Sequence, residues 1–403
     1  MQPLPQVLVD NATDPLSPGA DCTSPAAAPG PGASCCCCSY TNEASRRVAD
    51  VRAGAAARID WASTCLAGHG LCLLLEVEFD PIEGHGTNKA AGSGGGGAKD
   101  RGGGQGPGLE RRSLLFDAGP SGELLRCNAR RWGRGLDLGA VGAVVLSHWH
   151  VDHSGGLPAA LDLIGAARGA RAAGGAGAGG VHGGGGEAPA PQPRAPVRVV
   201  LDVHPRRPWC RGLKLQPGDE IIPFNQDPDP AQLAVDHAWL DVAPAAAPHT
   251  LLDGCFGVSG FIPRVTPYEE GNPAHASQWE EGGPWEDDPL IEDERALVVD
   301  LAGKGPVVFS ACSHAGIVNV ARWAEAALGR PPYASFGGLH LAPRDCLARV
   351  APTARHLAAQ RPPLSLLAAG HCTGWRAQAA LQAALPGRCM PLSVGATFEL
   401  SSE

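Results

Sequence analysis

The stretch AVVLSHWHVDHSGGL, residues 143–157, constrains the fold of this chain more than any other feature. Its apolar start at 144–146 predicts a buried strand, and the glycines at 155–156 let the backbone turn tightly into a helix. Four side chains that bind metals well lie between these two signals: His148, His150, Asp152 and His153. Imidazole with carboxylate suits zinc, iron or manganese, and open α/β sheets place their ligand sites at strand ends. The stretch therefore predicts a metal site, in preference to a polar loop with chance histidines.

The charge balance of the chain restricts its partners. The 403 residues include 32 basic and 41 acidic side chains, which gives a net charge of −9. The sequence has no block of five or more basic residues, so we expect no nucleic acid partner. No apolar run reaches the roughly 18 residues of a membrane span, so we expect no membrane partner. We expect a small-molecule substrate, and the sequence leaves the oligomeric state open.

The fourteen cysteines do not form the pattern of a disulfide framework. Four of them are consecutive at 35–38, without the spacing of a zinc knuckle, and the others are scattered. This usage favours a reducing compartment. The sequence shows neither a secretory signal nor a transit peptide, so we expect a cytoplasmic location, with an organelle left open.

Strand-like and helix-like segments alternate along the chain. The expected strands lie at 70–79, 111–119, 143–148, 197–204, 364–374 (with a loop at its end) and 390–400, and at 5–13, which we expect at a sheet edge. A hairpin is expected at 294–314, and helices at 156–168, 316–328 and 375–385. Alternation with antiparallel hairpins indicates an α/β sandwich rather than a wound parallel sheet.

Three segments lack apolar periodicity and are rich in Gly, Ala, Pro or Ser. They are 14–45, 84–109 and 169–196. Such composition cannot bury enough apolar surface to form a core. We therefore expect disordered insertions within a single domain spanning 1–403.

The motif His-x-His-x-Asp-His at 148–153 resembles the signature of the metallo-β-lactamase superfamily. Further segments are similar to one subgroup, the proteins related to dihydropterin–ribofuranosylaminobenzene phosphate synthase: LVDNAT, GHGLCLLLEVE, LLFDAGPSGELLRCNA, SGFIPRVTPYE, DERALVVDLAGKGPVVFSACSHAGIVNV, FGGLHL and AGHCTGW. The resemblance covers most of the chain outside the insertions. It implies a four-layered αβ/βα sandwich of the α/β class, here with Gly/Ala-rich insertions, and two divalent metal ions, zinc before manganese or iron.

The resemblance also implies roles for individual residues. His148 and His150 would hold one metal, and Asp152 and His153 the other, with His371 beside them. Asp117 resembles the carboxylate that orients a ligand histidine. Catalytic roles fall to Asp152 and to His340, for which a metal ligand and a plain core histidine are the alternatives. Arg264, Asn128 and Asn319 match subgroup positions and are candidates for substrate contact, with a surface arginine as the alternative for Arg264.

One departure from the superfamily pattern concerns the hairpin at 294–314. Members usually carry a metal-bridging aspartate after it, whereas this chain has Cys312-Ser313-His314. We expect His314 to complete the site of His148 and His150 and to leave the metal pair more positive, which favours a phosphorylated substrate. The alternative is that His314 caps the following helix.

The remaining histidines and cysteines carry weaker signals. A thiolate of Cys312 or Cys372 can bind zinc, but a small buried hydrophobe is the commoner role and the one expected here. His69 precedes a strand, and we expect a structural role. The histidines expected at the surface are His204, His237, His249, His275 and His356.

Together these features predict a metal-dependent hydrolase or group-transfer enzyme. The expected substrate is small, phosphorylated or pterin-like, and it would be attacked by a metal-bound hydroxide. The alternatives are a metal or redox protein of the same fold, a nuclease, and a binding scaffold without catalysis. The negative charge and the complete set of ligands count against the last two.

Overall fold

A computed structural model describes residues 2–9, 38–42, 65–79, 109–175, 198–214 and 220–402. The strands of the first half are β1 (Gln2–Val9), β2 (Cys38–Asn42), β3 (Cys72–Phe79), β4 (Glu110–Phe116), β5 (Val141–Val145), β6 (Val199–Val203), β7 (Cys210–Lys214), β8 (Ile221–Pro223) and β9 (Leu240–Pro244). The later strands are β10 (His249–Leu251), β11 (Phe256–Val258), β12 (His275–Gln278), β13 (Trp285–Asp287), β14 (Leu297–Leu301), β15 (Gly305–Ser310), β16 (Ala334–Gly338), β17 (Leu366–Gly370), β18 (Cys389–Pro391) and β19 (Ala396–Leu400).

These strands form two large sheets and a small one. Within the described residues the first sheet has the order β2-β19-β1-β3-β4-β5-β6-β9 and the second the order β10-β11-β14-β15-β16-β17-β18. The small sheet has the order β13-β12-β7-β8. Strands β4, β5 and β6 run parallel, as do β15, β16 and β17, so each large sheet gathers several carboxyl ends at one edge.

The α-helices connect the strands on the outer faces of the sheets. They are α1 (Gly122–Trp132), α2 (Val151–Ser154), α3 (Leu157–Gly175), α4 (Pro230–Asp236), α5 (Ile317–Leu328), α6 (Val350–Ala359) and α7 (Trp375–Ala384). Short 3-10 turns precede β5 and α6 and follow β17. No helix among the described residues has the length and apolarity to cross a membrane.

Three apolar cores separate four layers. Strand β3 shows the principle, because successive side chains of a strand point to opposite faces. Leu73 and Leu75 belong to the core between the two sheets, while Leu74 packs toward α1 and α3 on the other face. A third core lies between the second sheet and α5, α6 and α7. The predicted four-layered αβ/βα sandwich is therefore confirmed.

Most predicted elements exist, with three differences. Strand β1 is not at a sheet edge, because β19 and β3 pair with its two sides. The single strand expected at 390–400 is two strands, β18 and β19, which belong to different sheets. The break falls at 392–395, where Leu392 packs into the inner core and a glycine at 395 adopts a positive φ of 85°.

The expected insertions are described in part. Strand β2 occupies 38–42, inside the segment 14–45, because its backbone pairs antiparallel with β19. Helix α3 continues to Gly175, past the expected start of the insertion at 169. The rest of 14–45 and 169–196, and 84–108, lie outside the described residues.

Candidate metal centre

Side chains that follow strands of both large sheets meet at one end of the sandwich. In the first sheet, Asp117 follows β4 and the motif at 148–153 follows β5. In the second sheet, residues 312–314 follow β15, His340 follows β16 and His371 follows β17. Contacts of His153 with Cys312 and of His148 with His314 join the two sheets here. The site therefore lies at carboxyl strand ends, where the sequence predicted it.

The first set of donors consists of three buried imidazoles. His148 Nε2 lies 2.9 Å from His150 Nδ1 and 3.2 Å from His314 Nε2. Burial lowers the pKa of all three well below the usual range of histidine. The rings are therefore neutral at physiological pH, and each keeps one nitrogen with a lone pair. His148 Nε2 therefore has a ring nitrogen of each of the other two histidines within 3.2 Å, and a metal ion suits such neighbours better than a second neutral ring does.

The second set combines a carboxylate, a thiol and two imidazoles. The ligand atoms of Asp152, His153, Cys312 and His371 all lie within 4.8 Å of one another. The Sγ atom of Cys312 is 3.2 Å from His153 Nε2 and 3.0 Å from His371 Nε2. The Oδ2 atom of Asp152 is 3.4–3.5 Å from the same two nitrogens. The Asp152 side chain is 22% exposed, so the set opens to solvent on this side.

Asp117 fixes the ring of His153. Its fully buried carboxylate accepts hydrogen bonds from the Ser147 backbone N–H (2.7 Å) and hydroxyl (2.8 Å), and from His153 Nδ1 (2.7 Å). Burial disfavours the charged imidazole, but the carboxylates of Asp152 and Asp117 outweigh it and raise the pKa of His153 well above its usual range. Since Nδ1 donates to Asp117, the lone pair of the neutral ring lies on Nε2, which faces the second set. This is the contact expected of a group that orients a ligand histidine.

Two observations indicate that these donors fit divalent metal ions. Imidazole nitrogen, thiolate sulfur and carboxylate oxygen together suit zinc and neighbouring transition metals. The nitrogen that faces each set is the one a metal needs, because the opposite nitrogen is held by Asp117 in His153 and by the Ser147 hydroxyl in His148. An ion at the first set would be held by His148, His150 and His314. An ion at the second set would be held by Asp152, His153 and His371.

The turn at 312–314 is held by buried acceptors. The carboxylate of Glu294 accepts from the backbone N–H groups of His314 (2.7 Å) and Ala315 (2.6 Å). The Ser313 hydroxyl donates to the Gly338 carbonyl (2.7 Å), which ties the turn to the end of β16. Ser313 has a positive φ of 58°, an uncommon conformation for a residue other than glycine.

Helix α5 does not need His314 as its cap. The carboxylate of Glu269 accepts from the backbone N–H groups of Val318 (3.1 Å) and Asn319 (3.0 Å) in the first turn. The ring of His314 instead points to His148. The geometry therefore favours the ligand interpretation of His314 over the capping alternative.

A third group of imidazoles borders the first set. Ligand atoms of His275, His314 and His340 lie within 4.8 Å of one another. The ring of His275 stacks on His150 with centroids 5.2 Å apart, and burial lowers its pKa to about 3. Among the described residues, no hydrogen-bond partner exists for His275 Nδ1, His314 Nδ1 or either ring nitrogen of His340. These nitrogens are available to a ligand.

The surface positions expected for several histidines need correction. His275 is 4% exposed, and the small sheet carries it to the site, because β12 pairs with β7. No signal near His275 in the sequence could have shown this, since its partners lie in distant segments. His204 and His237 are also buried, each 9% exposed. His249 is half-buried and its ring contacts the Asp202 carboxylate at 2.7 Å.

His69 also reaches the site, although a structural role was expected. Its Nε2 atom lies 3.4 Å from Asp152 Oδ2, and its ring centroid is 4.7 Å from that of His371. The side chain is 64% exposed, so it borders the open side of the second set. Asn128 supports this segment, because its amide exchanges hydrogen bonds with the backbone of Leu66 at 2.8 and 2.9 Å.

The candidate substrate residues lie in different surroundings. The Asn319 amide accepts from Val265 and Thr266 N–H and donates to the Glu269 and Ala315 carbonyls, so it is fully used within the protein. Because Asn319 is also buried, it is a structural link rather than a substrate contact. Asn128 likewise serves the backbone of Leu66. Arg264 donates to two backbone carbonyls, while its buried Nε has no partner among the described residues.

Two buried arginines hold the motif backbone, and sequence reasoning missed both. Arg211 donates to the Trp149 carbonyl (3.0 Å) and pairs with Asp293, whose carboxylate accepts from the Trp149 N–H (2.7 Å). Arg295 donates to the Leu146 carbonyl (2.7 Å) and pairs with Asp202. Both guanidinium groups come from strands or loops far along the chain, so their relation to the motif appears only in the fold.

The comparison with protein families agrees with this geometry. The family model described as "Metallo-beta-lactamase superfamily" matches residues 109–260, which include β4, β5 and the motif. A solved structure described as Tm1679, a metal-dependent hydrolase of the beta-lactamase superfamily, aligns with a TM-score of 0.55 and covers 99% of both chains. This chain has the metallo-β-lactamase fold. The sequences are 16% identical, so that likeness shows the fold alone.

A second solved structure, described as a metallo-beta-lactamase fold protein, has a lower TM-score. The protein YhfI from Bacillus subtilis is 12% identical, with a TM-score of 0.36 over 72% of this chain and 89% of its own. No curated protein matches the sequence. The family model thus matches the part of the chain that carries the motif, and the solved structure shows the fold.

Proposed function

We propose that this chain is a metal-dependent hydrolase that cleaves an ester bond of a small phosphorylated molecule. The observation that carries the proposal is the convergence of two buried donor sets at the strand ends of both sheets. The resemblance to the dihydropterin-synthase-like subgroup supports a pterin-like molecule as the alternative substrate, and transfer to an acceptor other than water as the alternative reaction.

The chain's own residues define what the centre can do. His148, His150 and His314 would hold one divalent ion, and the second set would hold another. When bound, such ions polarise a substrate oxygen and lower the pKa of water from about 15.7 toward 7. Asp152 lies where the second set opens to solvent, so its carboxylate is placed to orient a water that enters there.

The preference for an anionic substrate rests on the groups around the donor sets. His275 and His340 each place a ring nitrogen within 4.8 Å of a ring nitrogen of His314, and His275 Nδ1 and both ring nitrogens of His340 have no partner among the described residues. Nitrogen donors of this kind bind phosphate oxygens. Buried nitrogen atoms without partners are costly, and a bound anion would satisfy them.

His340 is the residue we assign to proton transfer. Its ring is half-buried, its centroid is 4.3 Å from that of His314, and its backbone N–H donates to Cys372 Sγ (3.2 Å). Its positive φ of 46° directs the side chain away from the course of strand β16. An imidazole beside the reacting group can take up a proton and deliver it to the leaving oxygen.

The test compares metal-loaded wild type with two histidine variants on a substrate panel. The panel contains phosphomonoesters, phosphodiesters, thioesters, lactones and pterin phosphates, and the chain is loaded with zinc, manganese or iron. We expect phosphoester turnover that a chelator abolishes and metal restores. His340→Asn should lower kcat by about 10²–10⁴-fold with unchanged metal content. The control His356→Ala, on helix α6, should leave kcat unchanged.

Two outcomes would contradict the proposal. Turnover of lactones or thioesters without phosphoesters would show that the substrate class is wrong. Metal-loaded protein that hydrolyses no member of the panel would argue against a hydrolase and in favour of a metal or redox protein of the same fold.

A further inference from the structure

Cys312 is the side chain common to both donor sets. Its sulfur belongs with Asp152, His153 and His371 in the second set, and also groups with His148 and His314 of the first, with all ligand atoms of each group within 4.8 Å. Resting on the proposed function, we propose that the Cys312 thiolate is a shared ligand that binds both metal ions.

The position of Cys312 is fixed from both sides. It is 3% exposed and lies two residues after the end of β15, and the Ala311 carbonyl before it accepts from the Gly338 N–H (2.9 Å). The turn that follows is held by Glu294. The backbone at Cys312 is therefore held on both sides, and from this one position its sulfur lies within 4.8 Å of donors of both sets.

The chemistry of the shared ligand balances simply. Metal binding breaks the S–H bond, the proton leaves to solvent, and the thiolate sulfur uses two of its lone pairs to bond two ions. No oxidant or reductant is needed. Because the S–H bond breaks, metal uptake should release a proton.

A shared thiolate changes two expectations from the sequence. The residue expected to be a small buried hydrophobe becomes a ligand, and it supplies the negative charge that a bridging aspartate would supply. The metal pair is then less positive than it would be with His314 as the replacement. Sulfur also makes the site softer, which favours zinc, cobalt or iron over magnesium and manganese.

Cys372 provides a matched control. Its Sγ lies 3.4 Å from Cys312 Sγ and accepts from the His340 N–H at 3.2 Å. It groups with Cys312 and His340 but with no other donor of either set. Both cysteines are buried, so Cys312→Ser and Cys372→Ser remove the same atom from similar surroundings.

The experiment is a cobalt titration of the metal-free full chain, followed by absorption. A cobalt–thiolate bond gives a near-ultraviolet charge-transfer band that nitrogen and oxygen ligands do not give. We expect the band to rise through two equivalents of cobalt, since each ion bonds to the same sulfur. Cys312→Ser should lose the band and bind both ions at least about tenfold more weakly. Cys372→Ser should keep it.

Two results would overturn the proposal that Cys312 binds both ions. A band that survives in Cys312→Ser and disappears in Cys372→Ser would show that Cys372, and not Cys312, is the thiolate ligand. A band that saturates at one equivalent would make Cys312 a ligand of one ion only. Near-ultraviolet circular dichroism of each metal-free variant reports whether it is folded. A two-equivalent band in a chain that hydrolyses no phosphoester would sustain the shared ligand while contradicting the proposed function.

Discussion

His150 and His153 are neighbours in the motif but belong to different donor sets. The ring of His150 lies against His148 and His275, whereas His153 lies against Asp117 and Cys312. Strand-like backbone at His150, followed by the short helix α2, sends the two rings in different directions. Two histidines that are three positions apart in the sequence can therefore bind separate ions.

This geometry predicts different metal losses for two alanine variants. His150→Ala should lose the ion of the first set and His153→Ala the ion of the second, and each should retain about one metal per chain. The measurement is elemental analysis after gel filtration in metal-free buffer. If either variant emptied both sets, the two would form a single cooperative site, as a strong shared ligand allows.

Asp227 allows a test of electrostatics away from the metal ligands. Burial raises the pKa of its carboxyl group from 3.8 to about 6, while a hydrogen bond from Ser154 opposes the shift. The folded chain thus binds more protons than the unfolded chain between these values. The stabilising contribution is complete below about pH 4 and is lost as the pH rises through 6.

Asp227→Asn should remove this pH dependence. Relative to wild type, the variant should gain about 3 kcal/mol in free energy of unfolding between roughly pH 4 and pH 7. Urea unfolding of both proteins across this range, without metal, provides the comparison. A difference between the two proteins that stays constant with pH would show that Asp227 titrates normally.

The residue-level predictions rest on signals that are local in the sequence. The four candidate metal ligands within 148–153 are recognisable in the sequence, because their spacing is short and they follow an apolar strand. His275 and Cys312 gave no such signal, since one arrives on the small sheet and the other on the second large sheet. A cysteine such as Cys312 can be a metal ligand or a small buried apolar residue, and only its neighbours in the fold distinguish the two roles.

At the scale of elements, the entry into helix α3 depends on a close approach of two backbones. A Cβ atom on Gly156 would lie 2.0 Å from the Ala118 carbonyl oxygen, and the Gly156 N–H donates to the Gly119 carbonyl (2.9 Å). This contact joins the end of the metal motif to the loop after β4. It explains why a glycine stands at the point where the strand-to-helix turn closes.

Gly156→Ala should therefore destabilise the chain, by about 1–3 kcal/mol or more. Gly169→Ala, within helix α3, is the control, because a Cβ there meets nothing within 4 Å. The control should stabilise by about 0.5–1 kcal/mol, since alanine is the better helix former. Thermal or urea unfolding measures both, and equal effects from the two substitutions would refute the packing argument.

Elements with strong periodicity were predictable, whereas their partners were not. The hairpin of β14 and β15 follows from two apolar runs joined by a glycine turn, and its pairing of Leu297 with Phe309 is observed. The position of β1 inside the first sheet was not predictable, because β19 comes from the far end of the chain. Pairing between distant segments depends on the whole fold and leaves little trace in local sequence.

At the scale of the whole molecule, the fold tolerates long connections. Strands β3 and β4 pair continuously from Leu73 with Phe116 to Phe79 with Glu110, so the hairpin register is set within the sheet itself. Long surface connections add only a slowly growing entropic cost. The segment between these strands, mostly outside the described residues, carries the Gly-rich run at 92–108.

Deleting residues 87–106 should preserve the fold. We expect unchanged metal content and a free energy of unfolding within about 1 kcal/mol of wild type, because the remaining residues suffice for a turn. Gel filtration, elemental analysis and urea unfolding give the comparison. An aggregated or metal-free deletion variant would show that this segment packs on the sandwich.

The central claim is that strand ends of both sheets jointly hold metal, and anomalous diffraction from zinc-loaded crystals tests it most directly. We predict anomalous peaks at both donor sets, with His314 Nε2 about 2.1 Å and Cys312 Sγ about 2.3 Å from zinc. Zinc bound by the motif at 148–153 alone, with His314 and Cys312 more than about 4 Å away, would contradict the account.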